Sequence, residues 1–242
     1  EVGRKANIPR LISFDMGGTS TDVARYEGKY EYQYETRVGG ATIISPSLSI
    51  ETVASGGGSI CSFDGMKFSV GPESAGSEPG PACYGAKGPL TITDVNLLLG
   101  RLDEHNFGIP VNKTLAWKAF RTLTGNALSE HKDPESILEG FLRIVNEKMA
   151  TAIRKISINK GYDTSEYALV SFGGAGGQHA CDIAEILSIN KILVPYEAGL
   201  LSAVGMGNAR IERFYIKQIL KTYQHIRENL KELIGKSKDK AV

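Results

Sequence analysis

Residues 14–22 read Phe14-Asp15-Met16-Gly17-Gly18-Thr19-Ser20-Thr21-Asp22, and their reading decides the fold. They follow Leu11-Ile12-Ser13-Phe14, a short apolar run expected to form a buried strand. Two adjacent glycines, Gly17 and Gly18, let backbone N–H groups approach an anion with no Cβ in the way, as in a phosphate nest. The hydroxyls of Thr19, Ser20 and Thr21 can donate to phosphate oxygens. Asp15, at the end of the strand, and Asp22 can hold Mg²⁺ through water or orient an attacking water. Acids beside a phosphate make chemical sense only with a metal between them. A bare D-x-G-G is more often an ordinary hairpin turn; the full run of nine residues is what points to the anion.

Outward from this turn, Val23-Ala24-Arg25-Tyr26 reads as a second strand and Glu27-Gly28 as a turn. The alternating, Tyr-rich stretch 29–37 reads as a third strand, which completes an antiparallel meander. Residues 39–88 then hold eleven of the 28 glycines, with Pro46, Pro72, Pro79 and Pro81, so a regular helix is excluded there. Residues 60–70, split by Asp64-Gly65, suggest a hairpin. A long irregular segment inside a domain points to function.

Helical signals follow. Thr93-Asp94 can cap a short helix ending near Gly100, and Leu115, Trp117, Phe120 and Leu123 mark a second that ends at Gly125. The strongest spans 133–160, with Asp133 as N-cap, Pro134 at the first helical position and an apolar stripe from Ile137 to Ile156. Gly161 is its expected left-handed stop. Residues 167–172 read as a strand, Gly173-Gly174-Ala175-Gly176-Gly177 as a turn, 178–187 as a helix and 191–195 as a strand. That is a parallel β–Gly turn–α–β unit with a right-handed crossover. Residues 200–209 read as a short helix, and Ile216 to Ile234 as an amphipathic one with a basic outer face.

A strand feeding a glycine turn and then a helix N-terminus is a ready nucleotide site. The dinucleotide fingerprint fails, because His179 stands where its third glycine belongs. No Walker motif is present, since Gly235-Lys236-Ser237 has Leu230 in place of the first glycine. His179 opens a helix beside this turn and could reach phosphate or substrate, or simply start the helix. Cys61 and Cys83 have no partner at a zinc spacing and read as structural.

Composition sets the outer bounds. The 242 residues carry 28 Lys+Arg against 27 Asp+Glu, a net charge of +1 with no global drive toward nucleic acid or an anionic membrane. No apolar run approaches the ~18 residues of a membrane span. No signal peptide is read either. Three scattered cysteines fit a reducing cytosol, so a cytoplasmic protein is expected. Glycine, at 28 residues, is the one excess.

Taken in order, FDMGGTSTDV, GGGS, VGPESAGSEPGPACYG, TDVNLLLGRL, FGGAGGQHA and GLLSAVGMG resemble the hydantoinase A/5-oxoprolinase family over residues 10 to about 212. GGAGGQHAC is similar to the 5-oxoprolinase branch; Val95 departs from the Ala that the family often has there. The resemblance implies a ribonuclease-H-like α/β lobe of the superfamily of actin, sugar kinases and heat-shock chaperone ATPases, with an irregular Gly-rich insertion at 39–92. Residues 1–10 are then a lead-in, 11–212 the lobe and 213–242 a connector helix.

It further implies ATP and Mg²⁺, with Gly17, Gly18, Thr19, Ser20 and Thr21 at phosphate and Asp15 and Asp22 at metal or water. Gly173, Gly174, Gly176 and Gly177 would face adenosine, and His179 and Ser59 would touch substrate or phosphate. The implied reaction is ATP-dependent opening of a cyclic amide, 5-oxoproline or a hydantoin, through a phosphorylated intermediate. An acetone-type ATP-dependent carboxylase shares the motifs. The family has an earlier phosphate loop in a preceding lobe and, in many members, a partner subunit or domain with the hydrolytic site. The chain, which starts at Glu1, is therefore expected to be the middle of a longer enzyme, inactive alone.

Overall fold

In the computed structural model, residues 1–125, 133–209, 211, 213, 215 and 217–241 are described, with backbone only at 37, 38 and 241. The lead-in contains a helical turn, α1 (Val2–Ala6). The apolar run forms β1 (Arg10–Met16), and β2 (Thr21–Glu27) returns beside it antiparallel, with Met16 opposite Thr21 and Asp15 opposite Asp22. Side chains alternate between faces along both strands. Phe14, Met16, Thr21 and Val23 enter the core, and Asp15 and Asp22 share the other face.

The third position in the sheet is not the Tyr-rich stretch. That stretch forms β3 (Tyr32–Val38), which pairs with β4 (Ala41–Leu48) in a separate two-stranded ribbon. The sheet is completed by β5 (Glu51–Val53), antiparallel to β2. Alternation marks a strand without naming its partner, and here it marked the ribbon. The expected hairpin is present as β6 (Ser59–Phe63) and β7 (Phe68–Ser74), its turn closed by Asp64 Oδ1 accepting the amides of Met66 and Lys67.

Helix α2 (Ile92–Leu98) starts two residues earlier than expected. Its N-cap is Thr91, and Asp94 completes a capping box. Helix α3 (Lys113–Thr124) is capped by Asn112, whose side chain accepts the amides of Thr114 and Leu115. Helix α4 (Pro134–Ile156) follows Asp133 and stops at Ser157, before a 3-10 turn that ends at left-handed Gly161. Its stripe, Ile137, Leu138, Phe141, Leu142, Val145, Met149 and Ile153, belongs to the same buried cluster as Phe14, Met16 and Val23 of the sheet. Each such side chain contributes about 1.5–3 kcal/mol by leaving water.

The last part of the sheet is β8 (Ala168–Phe172), α5 (Ala180–Ile186) and β9 (Ile192–Leu193). The order is β5-β2-β1-β8-β9, with β1, β8 and β9 parallel. An antiparallel three-stranded part, a helix and a parallel β-α-β unit make the α/β lobe that the sequence implied. Helix α6 (Leu201–Gly207) follows, then α7 (Tyr223–Ile226) and α8 (Leu230–Ala241). The single amphipathic helix expected from Ile216 onward is thus interrupted, and Ile216 lies outside the described residues. A short basic segment with few buried contacts has little besides propensity to hold it helical.

The chain divides into two units: residues 1–32 with 48–202, and residues 33–47 with 203–242. The first contains the sheet, its helices and every residue expected at the site. The second contains most of the β3–β4 ribbon and the C-terminal helices. No helix among the described residues is long and apolar enough to cross a membrane.

Candidate functional site

The two glycine turns leave the carboxyl ends of neighbouring parallel strands, where open α/β sheets bind ligands. Residues 17–20 bridge β1 and β2, and the Gly17 amide donates to the Ser20 carbonyl at 3.0 Å. Gly18 and Thr19 are exposed, and a Cβ at Gly18 would meet nothing within 4 Å. The second turn follows β8. The Ala175 amide donates to the Met16 carbonyl at 3.0 Å, so the two turns are joined directly. Gly173 has φ +81°, and a Cβ there would lie 2.4 Å from the Met16 oxygen. Only glycine allows this approach. Gly174 and Gly177 are exposed with open space at the Cβ position.

Asp15 and Asp22 stand opposite each other on one face of the β1–β2 pair, where facing Cβ atoms are about 5 Å apart. Each carboxylate accepts one hydroxyl. Ser202 donates to Asp15 Oδ2 at 2.8 Å and Thr52 to Asp22 Oδ1 at 2.5 Å. Neither hydroxyl was legible from sequence, because each comes from a segment distant along the chain.

Four expected contacts are placed elsewhere. Thr21 is fully buried on the core face, and its hydroxyl donates to the Ser55 carbonyl at 2.6 Å. Ser59 is also fully buried, and its Oγ accepts the Gly56 amide at 2.9 Å, so it braces its own loop. Gly176 is buried, and a Cβ there would sit 2.9 Å from Ser171 Oγ. His179 is fully buried between two asparagines. Its Nδ1 lies 2.7 Å from Asn146 Oδ1 and its Nε2 3.0 Å from Asn96 Nδ2. Asn146 Nδ2 in turn donates to Asp182 Oδ2 at 2.8 Å, which fixes its orientation. The ring therefore carries its proton on Nδ1 and accepts on Nε2. Burial first, and then the Arg101 charge, push its pKa down to about 4, so it is neutral near pH 7.

The GGGS run is packing rather than a cradle. Residues 55–59 are buried, and the Gly57 and Gly58 amides donate to the Gly17 and Gly18 carbonyls at 3.1 and 2.6 Å. The buried Asp94 carboxylate organises the Pro-rich loop by accepting the amides of Ala82, Cys83 and Thr91 and the Thr91 hydroxyl. Burial and then Asp94 push both the Cys61 and Cys83 thiols upward, away from nucleophilic thiolate. Among the described residues no group of three or more His, Cys, Asp or Glu is placed to hold a metal.

The chain as a whole is similar to known proteins. The hydantoinase/oxoprolinase family model matches residues 1–214. A 5-oxoprolinase of Dictyostelium discoideum is 45% identical over 214 residues, which cover 82% of this chain and 17% of that protein. A 5-oxoprolinase of Saccharomyces cerevisiae is 44% identical over 83% of this chain and 16% of its own length. The chain thus spans about a sixth of these relatives. The crystal structure of the ATP-dependent caprolactamase from Pseudomonas jessenii superposes with a TM-score of 0.82 at 31% identity, covering 97% of this chain and 36% of that one. A nucleotide-free acetone carboxylase shares the fold, with a TM-score of 0.77 at 22% identity over 99% of this chain and 36% of that one. The α/β lobe, its glycine turns and these matches agree: the chain belongs to the hydantoinase/oxoprolinase family.

Proposed function

We propose that this chain is the ATP-binding lobe of an ATP-dependent cyclic amidohydrolase that opens a ring of the 5-oxoproline or hydantoin kind. The carrying observation is the junction of the two glycine turns at the ends of β1 and β8, with the Asp15–Asp22 pair beside them. Relatives named 5-oxoprolinase and caprolactamase support the cyclic-amide substrate class over a carboxylase. The acetone carboxylase, at 22% identity, shares only the fold.

In this reading the exposed 17–20 turn receives phosphate through its amides and the hydroxyls of Thr19 and Ser20. Gly173, Gly174 and Gly177 shape the adenosine side. Two carboxylates facing each other repel unless a cation lies between them, and hard oxygen donors suit Mg²⁺. Ser202 and Thr52 each engage one oxygen, so each carboxylate keeps a second for the metal. Bound ATP supplies the phosphoryl group that makes the amide carbon a better electrophile. Thr21, Ser59, Gly176 and His179 support the backbone around the site.

The rest of the nucleotide cleft and the hydrolytic site belong to another lobe, subunit or domain, in keeping with the far greater length of the relatives. All three cysteines are free, and we assign the protein to the reducing cytoplasm. The test is lactam hydrolysis by the complete enzyme that carries this chain, with and without ATP, beside Asp15→Ala. The expected result is ATP-stimulated hydrolysis lost in the variant. Unchanged activity would remove Asp15 from the site, and bicarbonate-dependent turnover of a ketone with none of a lactam would make the parent a carboxylase.

A further inference from the structure

Helix α2 is buried at all seven of its residues, yet three of them are polar: Thr93, Asp94 and Asn96. Buried polar side chains destabilise a core unless each finds a partner. Here each is bonded to a different loop. Thr93 addresses Gly57: its amide and its hydroxyl both donate to the Gly57 carbonyl, at 2.7 and 2.9 Å. Gly57 in turn donates to Gly17, so the bonds run from α2 to the 17–20 turn in two steps. Asp94 gathers residues 82, 83 and 91. Asn96 Nδ2 meets His179, the residue that links the second glycine turn to α5. His179 also reaches α4 through Asn146.

We infer that α2 is a strut that fixes the spacing of the two glycine turns, with Thr93 and Asn96 as positioning residues for the nucleotide site. The inference rests on the reading of those turns as nucleotide-binding. Three residues apart, Thr93 and Asn96 lie about one helical turn from each other on a rigid element. One sets the turn after β1 and the other the turn after β8. The direct Ala175–Met16 bond joins the turns at their base but leaves their exposed tips free to splay. The helix removes that freedom, and a ligand held by both turns then loses less entropy on binding.

The test compares the complete enzyme that carries this chain with its Thr93→Val, Thr93→Ser and Asn96→Leu variants in two measurements. Amide hydrogen exchange is read first, without nucleotide. Thr93→Val is expected to speed exchange at Gly57 and Gly58 at least tenfold, Asn96→Leu to do the same at residues 175–179, and both to leave the β6–β7 hairpin unchanged. Thr93→Ser keeps the hydroxyl and restores the wild-type pattern. Mg·ATP binding is read second by fluorescence titration. Thr93→Val and Asn96→Leu each weaken it at least fivefold, and Thr93→Ser does not. Exchange that is unchanged, or faster everywhere in proportion to lost stability, overturns the strut. Unaltered Mg·ATP affinity beside locally faster exchange overturns the positioning role. A complete wild-type enzyme that shows the exchange pattern but binds no Mg·ATP overturns the nucleotide reading of this lobe and leaves α2 a brace of the turns alone.

Discussion

The Gly58 amide donates to the Gly18 carbonyl at 2.6 Å, so the buried 56–58 loop is stitched backbone to backbone onto the exposed 17–20 turn. Glycine is required on one side of this seam and not on the other. A Cβ at Gly56 would lie 2.7 Å from the Gly17 oxygen, whereas a Cβ at Gly18 would meet nothing within 4 Å. Gly56→Ala is therefore expected to cost about 2 kcal/mol through forced backbone displacement. Gly18→Ala should stay within about 0.5 kcal/mol of wild type. Urea denaturation of the two variants checks the contrast. In the proposed nucleotide site the stable Gly18→Ala variant should also bind Mg·ATP more weakly, because its methyl group enters the space beside the phosphate turn.

The three cysteines should separate by reactivity. Cys181 is exposed, while Cys61 and Cys83 are buried and their thiols are pushed upward by burial and then by Asp94. Thiolate is the reactive form, so burial and a raised pKa act in the same direction. Titration of the native chain with a thiol–disulfide exchange reagent should consume one thiol rapidly. The other two should react only after denaturation. Rapid reaction of all three would mean that the Pro-rich loop opens readily around Cys83.

The same two cysteines show what sequence reasoning can reach. Missing ligand spacing was enough to read them as structural, since that depends only on local pattern. Strands β1 and β2 and helices α3 and α4 were legible for a similar reason, because each is long enough to repeat its period. β5 was not, because three residues carry no period and a stronger alternation nearby drew the third-strand assignment. Thr21 and Ser59 were misplaced because a hydroxyl's type does not show which face of a strand it takes. Thr21 falls on the core face by the same alternation that puts Asp22 outside. His179 was ambiguous because its partners, Asn96 and Asn146, lie on helices 83 and 33 residues away and interrupt apolar surfaces that otherwise read as plain core. The seam between 56–58 and 17–18 is backbone to backbone, so no side chain announces it.

Arg25 supports the end of the sheet away from the glycine turns. Its guanidinium carbon sits 3.6 Å from the centre of the Tyr162 ring, Nη1 reaches Glu27 and the Tyr167 hydroxyl at 2.9 Å each, and Nη2 reaches Glu31 at 2.7 Å. A lysine cannot reproduce both the planar stacking and the fork. Arg25→Lys should therefore destabilise the chain by about 2 kcal/mol, and Arg25→Ala by about 3 kcal/mol, because the second change removes the cation from half-buried Glu31 altogether. Thermal unfolding followed by circular dichroism gives the order. Equal stability of Arg25→Lys and wild type would show that charge alone suffices there.

His179 makes the lobe acid-sensitive in a defined window. Its folded pKa, lowered to about 4 by burial and then by Arg101, lies below the ordinary 6.5, and the nearby Asp182 opposes the shift only in part. Between these values the unfolded chain binds the extra proton and the folded chain does not, so stability falls as pH falls. The contribution is complete above about pH 6.5, is lost progressively down to about pH 4, and totals on the order of 3 kcal/mol. Protonation would also set a donor on Nε2 against the Asn96 Nδ2 donor, so the cost falls on the link between α2 and α5. Glu27, Glu31, Asp64, Asp103 and Asp163 are all held below their ordinary values, so they lose their stabilising ionisation at lower pH than His179 begins to act. Urea midpoints at about pH 7 and about pH 5 isolate the histidine. Wild type should lose stability across that interval. His179→Leu should start less stable, with Asn96 and Asn146 left without their ring partner, and change far less with pH. A variant with the same slope as wild type would assign the acid sensitivity to other groups.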